Sequence, residues 1–243
     1  MLLSTPGLVL HTTPYSESSV VAKVFTRQLG LRSYIIKGVR GPRGRVKQNL
    51  LQPLSSLDMV VYNNEKTDLN YTKELSPRCP DQLSDPVGNA LRFFMTEVLY
   101  KALREAEPMP ALFDYVEGIT FHLWLHKVAD HSSPFTSYLP ISFLLTVARH
   151  LGIEPLDNYC PREPYFCLEE GRFLSAPNET TLSPPLSEML HEYLTPSQPL
   201  SLSATQPLKS RRDLIDALIT YFHLHLSGFT HFHSHEILHT ILK

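Results

Sequence analysis

Ser19-Val-Val-Ala-Lys-Val-Phe-Thr-Arg-Gln-Leu-Gly30-Leu-Arg-Ser-Tyr-Ile-Ile-Lys-Gly-Val-Arg40 is two β-rich runs folded about one glycine. Val20, Val21, Val24 and Phe25 in 19–25 and Tyr34, Ile35, Ile36 and Val39 in 31–40 are strand formers, and Gly30 punctuates the two runs as a hairpin turn would. Working outward, the same composition returns at 8–12, 54–62 and 68–73, with turn signals at Gly41-Pro-Arg-Gly44 and Asn63-Asn64. Five short strands in about 75 residues, without a helix-length gap, predict a small closed barrel. At this size the expected closure is the five-stranded OB-fold, which often binds single strands.

The charge follows the same division. The 243 residues hold 22 Lys and Arg against 24 Asp and Glu, a formal net charge of −2 that by itself argues against a polyanionic partner. Residues 1–75, however, carry ten basic and five acidic side chains, a balance of +5, while 76–243 carry twelve and nineteen, a balance of −7. No carboxylate lies between Glu17 and Asp58, and that window contains Lys23, Arg27, Arg32, Lys37, Arg40, Arg43, Arg45 and Lys47. A solvated basic face is the plain alternative, but so long a window without a counter-charge builds a potential suited to phosphates. In the third strand Arg32 and Tyr34 fall on one face. The glycines of the following loop leave the backbone open around Arg43, Arg45 and Lys47. A cationic groove with an aromatic beside it tracks a phosphate backbone and stacks bases without reading sequence.

After Pro77 and Pro80 the period becomes helical. Leu91, Phe94, Met95, Val98, Leu99, Ala102 and Leu103 form one apolar stripe, and Leu112, Tyr115, Val116, Ile119 and Leu123 form a second. Phe143, Leu144, Val147, Ala148 and Leu151 form a third, which Gly152 closes. Further helices are expected over 208–226, with Leu214, Ile215, Leu218 and Phe222 inward, and over 234–242. The Pro-, Ser- and Thr-rich stretch 153–207 is expected to be largely irregular. The chain therefore reads as an α+β multidomain protein: an OB-fold nucleic-acid-binding domain at 1–78 and a mainly α-helical domain at 79–243. Cys79, Cys160 and Cys167 are too few for a disulfide framework and fit a reducing compartment. With no signal-peptide pattern at the N-terminus and no apolar run near the ~20 residues of a membrane span, a cytoplasmic location away from membranes is expected.

Chemistry-bearing motifs are sparse. Ser210 and Asp213 have capping-box spacing, yet Lys209, Arg211 and Arg212 surround that helix start and oppose its macrodipole. A bound phosphate or carboxylate would relieve the conflict, which makes these three a candidate second anion contact. The tail contains a formal His-Glu-x-x-His at His235, Glu236 and His239, the pattern of a zinc hydrolase. Six histidines between His223 and His239 make a chance match the simpler explanation, and the motif ends four residues from Lys243. Cys160 and Cys167 supply two thiolates where a structural zinc site needs four ligands. Neither a phosphate-binding Gly-rich loop nor a nucleophile elbow is present, so no catalytic residue, metal or cofactor is expected.

Several segments resemble the RecO family. They are Gly7-Leu-Val-Leu-His-Thr-Thr-Pro-Tyr-Ser-Glu-Ser-Ser-Val20, Val24-Phe-Thr-Arg27, Lys37-Gly-Val-Arg40, Leu51-Gln-Pro-Leu54, Glu97-Val-Leu-Tyr100, His150-Leu-Gly152 and Leu208-Lys-Ser-Arg211, in that order. The resemblance implies an OB-fold that binds single- and double-stranded DNA, followed by a helical domain. It also implies a non-enzymatic DNA repair mediator that anneals strands. Such a protein works with RecR to load RecA onto DNA coated by the single-stranded-DNA-binding protein, whose acidic C-terminal tail it contacts. Carried across, the family's basic segment falls on Lys37, Arg40, Arg43, Arg45 and Lys47, and its second basic segment on Lys209 and Arg211. The four-cysteine zinc module of some relatives is reduced here to Cys160 and Cys167, and the histidine-rich tail has no counterpart. The competing expectations are a zinc hydrolase using His235, Glu236 and His239, and an adaptor whose basic face binds acidic peptides.

Overall fold

The first five strands close into a barrel because the first, 13 residues long, pairs with the second on one side and with the fourth on the other. In the computed structural model, which describes residues 1–39, 48–64, 67–79, 86–104, 106–125, 134–195 and 207–241, these strands are β1 (Leu2–Pro14), β2 (Ser19–Thr26), β3 (Gly30–Lys37), β4 (Ser56–Tyr62) and β5 (Leu69–Pro77). Their order is β1-β2-β3-β5-β4, with β4 returning to β1, and only β3 and β5 run parallel among these pairs. This is the OB-like closure expected from the sequence. Val9, Val20, Ala22, Val24, Tyr34, Ile36, Leu57, Met59 and Val61 meet in its core.

Several strand ends differ from expectation, each for a local reason. β1 starts six residues earlier, running through Pro6-Gly7, a pair that reads as a turn. Gly7 is there for space: a Cβ would lie 2.6 Å from both Met59 Sδ and Val24 Cγ1. Pro6 lacks an N–H, but its carbonyl still accepts a bond from the Arg27 amide at 3.1 Å. β3 stops at Lys37 because Gly38, at φ +73°, turns the chain, and Leu54 at φ +56° delays β4 to Ser56. β5 continues to Pro77 because Leu57, Asp58, Met59 and Val60 offer partners to its polar second half.

Two helices pack with the barrel in a compact unit, Met1–Lys127. α1 (Pro86–Ala102) lies against β1, and α2 (Pro110–Leu125) sets Phe113 edge-on to Phe25 at 5.6 Å. The chain between them docks on the β2–β3 turn, where the Ala106 amide donates to the Leu31 carbonyl at 3.0 Å. Gly30 is required twice there. It sits at φ +67°, and a Cβ would collide with the backbone of Glu107.

The second unit, Val128–Lys243, contains α3 (Pro134–His150), the hairpin β6 (Tyr165–Cys167) and β7 (Arg172–Leu174), α4 (Pro184–Leu194), α5 (Leu208–His225) and α6 (Ser234–Ile241). The hairpin and α4 correct the expectation that 153–207 is largely irregular. Ser183 precedes two prolines at the first helical positions, where a missing N–H breaks no intrahelical bond. Those prolines start α4, although in sequence they read as a break. Ser187, Met189, Leu190 and Tyr193 are its buried face. Phe166 and Phe173 anchor the hairpin, both fully buried with centroids 5.1 Å apart.

Candidate nucleic-acid interface

The eight basic candidates of the barrel divide by environment. Arg40, Arg43, Arg45 and Lys47 lie outside the described residues. Lys23 points away from the core on β2, and its ammonium lies 5.6 Å from the Tyr100 ring centroid on α1, beside His11. Arg27 is held by Asp114 of α2 through bonds of 2.7 and 2.8 Å. Arg32 shares the core side of β3 with Tyr34 and Ile36, and its Nε is buried without a hydrogen-bond partner. Lys37 stands exposed at the outer end of β3. The four described cations therefore do not converge on one groove.

The aromatic expected to stack bases is also elsewhere. Tyr34 is 1% exposed, and burial pushes its hydroxyl pKa up to about 12. It is a core residue. On the outer face, Tyr62 and Tyr71 are register partners across β4 and β5, and the Lys37 ammonium lies 5.2 Å from the Tyr71 ring centroid. A sequence signal for Tyr62 exists: it is out of phase with Leu57, Met59 and Val61, which face inward. Tyr71 had no such signal, because β5 is mostly polar and its phase is set only by pairing.

An open cleft of about 610 Å³ beside α2 is lined by Asp58, Arg78, Cys79, Asp114, Glu117 and Phe121. Three carboxylates face one guanidinium that is already bound, since Arg78 meets Asp58 at 2.7 Å and Glu117 at 2.8 Å. Burial and the Glu117 charge push the Cys79 thiol pKa up. Phosphate is repelled from such a surface.

In the second unit the expected anion contact is dispersed. α5 begins at Leu208 after Pro207, with no side-chain cap, so Ser210 and Asp213 do not form the anticipated capping box. Lys209 is exposed, whereas Arg212 donates through Nη2 to the carbonyl of His239 at the end of α6. Arg211 lies near enough to Tyr193 to oppose the rise that burial gives that hydroxyl. His235 and His239 face Asp216 of α5, at 4.0 and 3.6 Å, while Glu236 is exposed. Among the described residues no group of three or more His, Cys, Asp or Glu is arranged to hold a metal ion. Burial alone would raise the Cys167 thiol pKa, but hydrogen bonds from Thr180, the Glu170 backbone and Asn178 lower it on balance. None of the helices among the described residues is long and apolar enough to cross a membrane.

A five-stranded OB-like barrel leading into a mainly helical region, with its cations concentrated in the first 47 residues, places the chain among barrel-led multidomain proteins. Residues 1–78 match the family model described as Recombination protein O N terminal. The DNA repair protein RecO of Bacteroides fragilis is 30% identical over 72% of this chain and 71% of its own. The RecO of Flavobacterium johnsoniae is 29% identical over the whole of both chains, and that of Christiangramia forsetii 27% over 94% of each. The chain belongs to the RecO family of DNA repair and recombination proteins. Its members are non-enzymatic mediators, and the zinc-hydrolase alternative falls with that membership.

Proposed function

We propose that this chain is a recombination mediator whose barrel binds single- and double-stranded DNA and anneals complementary strands. With RecR it helps load RecA onto DNA coated by the single-stranded-DNA-binding protein, whose acidic C-terminal tail docks on the helical region. The observation that carries this reading is the RecO-matching barrel sequence, with eight Lys and Arg and no carboxylate between Glu17 and Asp58. Annealing is limited by repulsion between two polyanions. Cations that neutralise both backbones lower that repulsion, and no bond-making residue or ATP is needed. Lys37, Arg40, Arg43, Arg45 and Lys47 are the main phosphate contacts in this reading, with Lys23 and Arg32 at the margin. Lys209 is the member of the second cluster best exposed to an anion. The setting is the bacterial cytoplasm, at the nucleoid.

The test is a fluorescence annealing assay with protein-coated complementary strands. Charge reversal at Arg40, Arg43 and Arg45 is expected to abolish annealing while leaving the melting temperature unchanged. Wild-type affinity is expected to fall steeply with salt. A folded triple variant that anneals as well as the wild type would refute the assignment.

A further inference from the structure

The outer face of the barrel carries a row of paired side chains, three of them large and exposed. Leu2, Tyr62, Tyr71, Ile35 and Val21 are successive register partners across β1, β4, β5, β3 and β2. Val61 faces the core, so its neighbour Tyr62 points outward, and Tyr71 opposite shares that side. Tyr62 is 50% exposed, Tyr71 45% and Leu2 47%, while Ile35 at 3% gives the row an apolar floor. Directly opposed positions on one sheet face stand about 4.5–5.5 Å apart at Cβ, close enough for two rings to form one surface. The Lys37 ammonium lies 5.2 Å from the Tyr71 ring centroid, at the point where β3 leaves for the cation-rich sequence 40–47.

This arrangement has two separable chemistries. Rings offer π-faces to any unstacked base, whatever its identity. The ammonium beside them offers a point charge to the phosphate that joins such bases. In a duplex the base faces are covered by their neighbours, so the rings have nothing to engage. We infer that Tyr62 and Tyr71 form a stacking platform for unpaired bases of a single strand, with Lys37 taking the adjoining phosphate. The platform gives the barrel a preference for single strands over duplex that does not depend on sequence. This inference rests on the proposal that the barrel binds DNA.

The full chain is tested by fluorescence anisotropy on oligothymidylate, an abasic strand of the same length and a duplex, each across a salt series. The wild type is expected to bind the abasic strand more weakly than oligothymidylate. The double variant Tyr62→Ala, Tyr71→Ala is expected to lose about tenfold per ring on oligothymidylate. It should lose nothing on the abasic strand or the duplex, and its salt slope should stay the same. Tyr62→Phe with Tyr71→Phe should bind as wild type, whereas Lys37→Ala should flatten the slope by about 0.7. Equal wild-type affinity for oligothymidylate and abasic strand overturns the platform even if the alanine variant does not fold. So does a folded alanine variant that keeps full affinity, or one that weakens equally on all three probes. A wild type that binds none of the three sinks the DNA-binding proposal as well.

Discussion

Arg27 and Asp114 meet through two parallel hydrogen bonds, both side chains near half exposure. A guanidinium satisfied by a carboxylate has little left to give a phosphate. Arg27→Ala should therefore change DNA affinity little, whereas Asp114→Asn should release the cation and steepen the salt dependence by about 0.7 of a log unit per log unit of salt. Anisotropy titrations across salt check both. The pair also carries a pH sign. Arg27 holds the Asp114 carboxyl below its ordinary 3.8, so what the pair adds to stability is present above that value and is lost as pH falls beneath it. Gly30 makes a different residue-scale prediction. An alanine there must hold φ +67° and push against Glu107, so Gly30→Ala should destabilise the first unit by at least about 1–2 kcal/mol in urea unfolding. Gly30 was legible in sequence as a turn, but the Glu107 contact was not, because 77 residues of chain separate the two.

At the scale of elements, the short helix α6 shows how packing sets the chemistry of a motif. Its His235 and His239 face Asp216 of α5, with Asp213 and Arg212 nearby, and Arg212 caps the His239 carbonyl. Burial lowers the His239 pKa from 6.5 more than the Asp216 charge raises it, and burial raises that of Asp216 from 3.8. His239 thus docks neutral, while the undocked ring takes up a proton below about 6.5. Docking is fully stable above that pH and weakens as pH falls through the interval beneath it. Amide protection across 234–241 should therefore drop between pH 7.5 and 5.5, and His239→Gln should remove most of the drop; hydrogen exchange measures it. Apolar periodicity made α5 and the last helix readable, since Leu214, Ile215, Leu218 and Phe222 repeat at helical spacing. α4 was not readable. It has 11 residues and opens on two prolines, and its buried face includes a serine whose hydroxyl accepts from the Phe166 amide at 2.9 Å.

Across the whole molecule, contacts gather α1 and α2 with the barrel, although the family match and the last barrel strand both end by residue 78. A fragment of 1–78 would expose Phe25, which is fully buried here against Phe113, and burial of one such side chain contributes about 1.5–3 kcal/mol. It would also lose the Arg27 and Ser56 bonds to α2. A 1–127 fragment is expected to unfold cooperatively, reported by Trp124, the single tryptophan of the chain, while 1–78 should melt at lower urea by circular dichroism. The same scale explains the net charge of −2: a first part at +5 and a remainder at −7 nearly cancel. Strand and helix types, the barrel, the basic window and the RecO resemblance are all local properties, set by alternation, periodicity and side-chain charge along a few neighbouring residues. Which cations remain available, and that Tyr71 faces water beside Tyr62, was decided by tertiary structure alone. Pairing between β4 and β5 sets Tyr71 beside Tyr62, where the polar sequence of β5 fixes no phase, and the approach of α2 binds Arg27 to a carboxylate 87 residues along the chain.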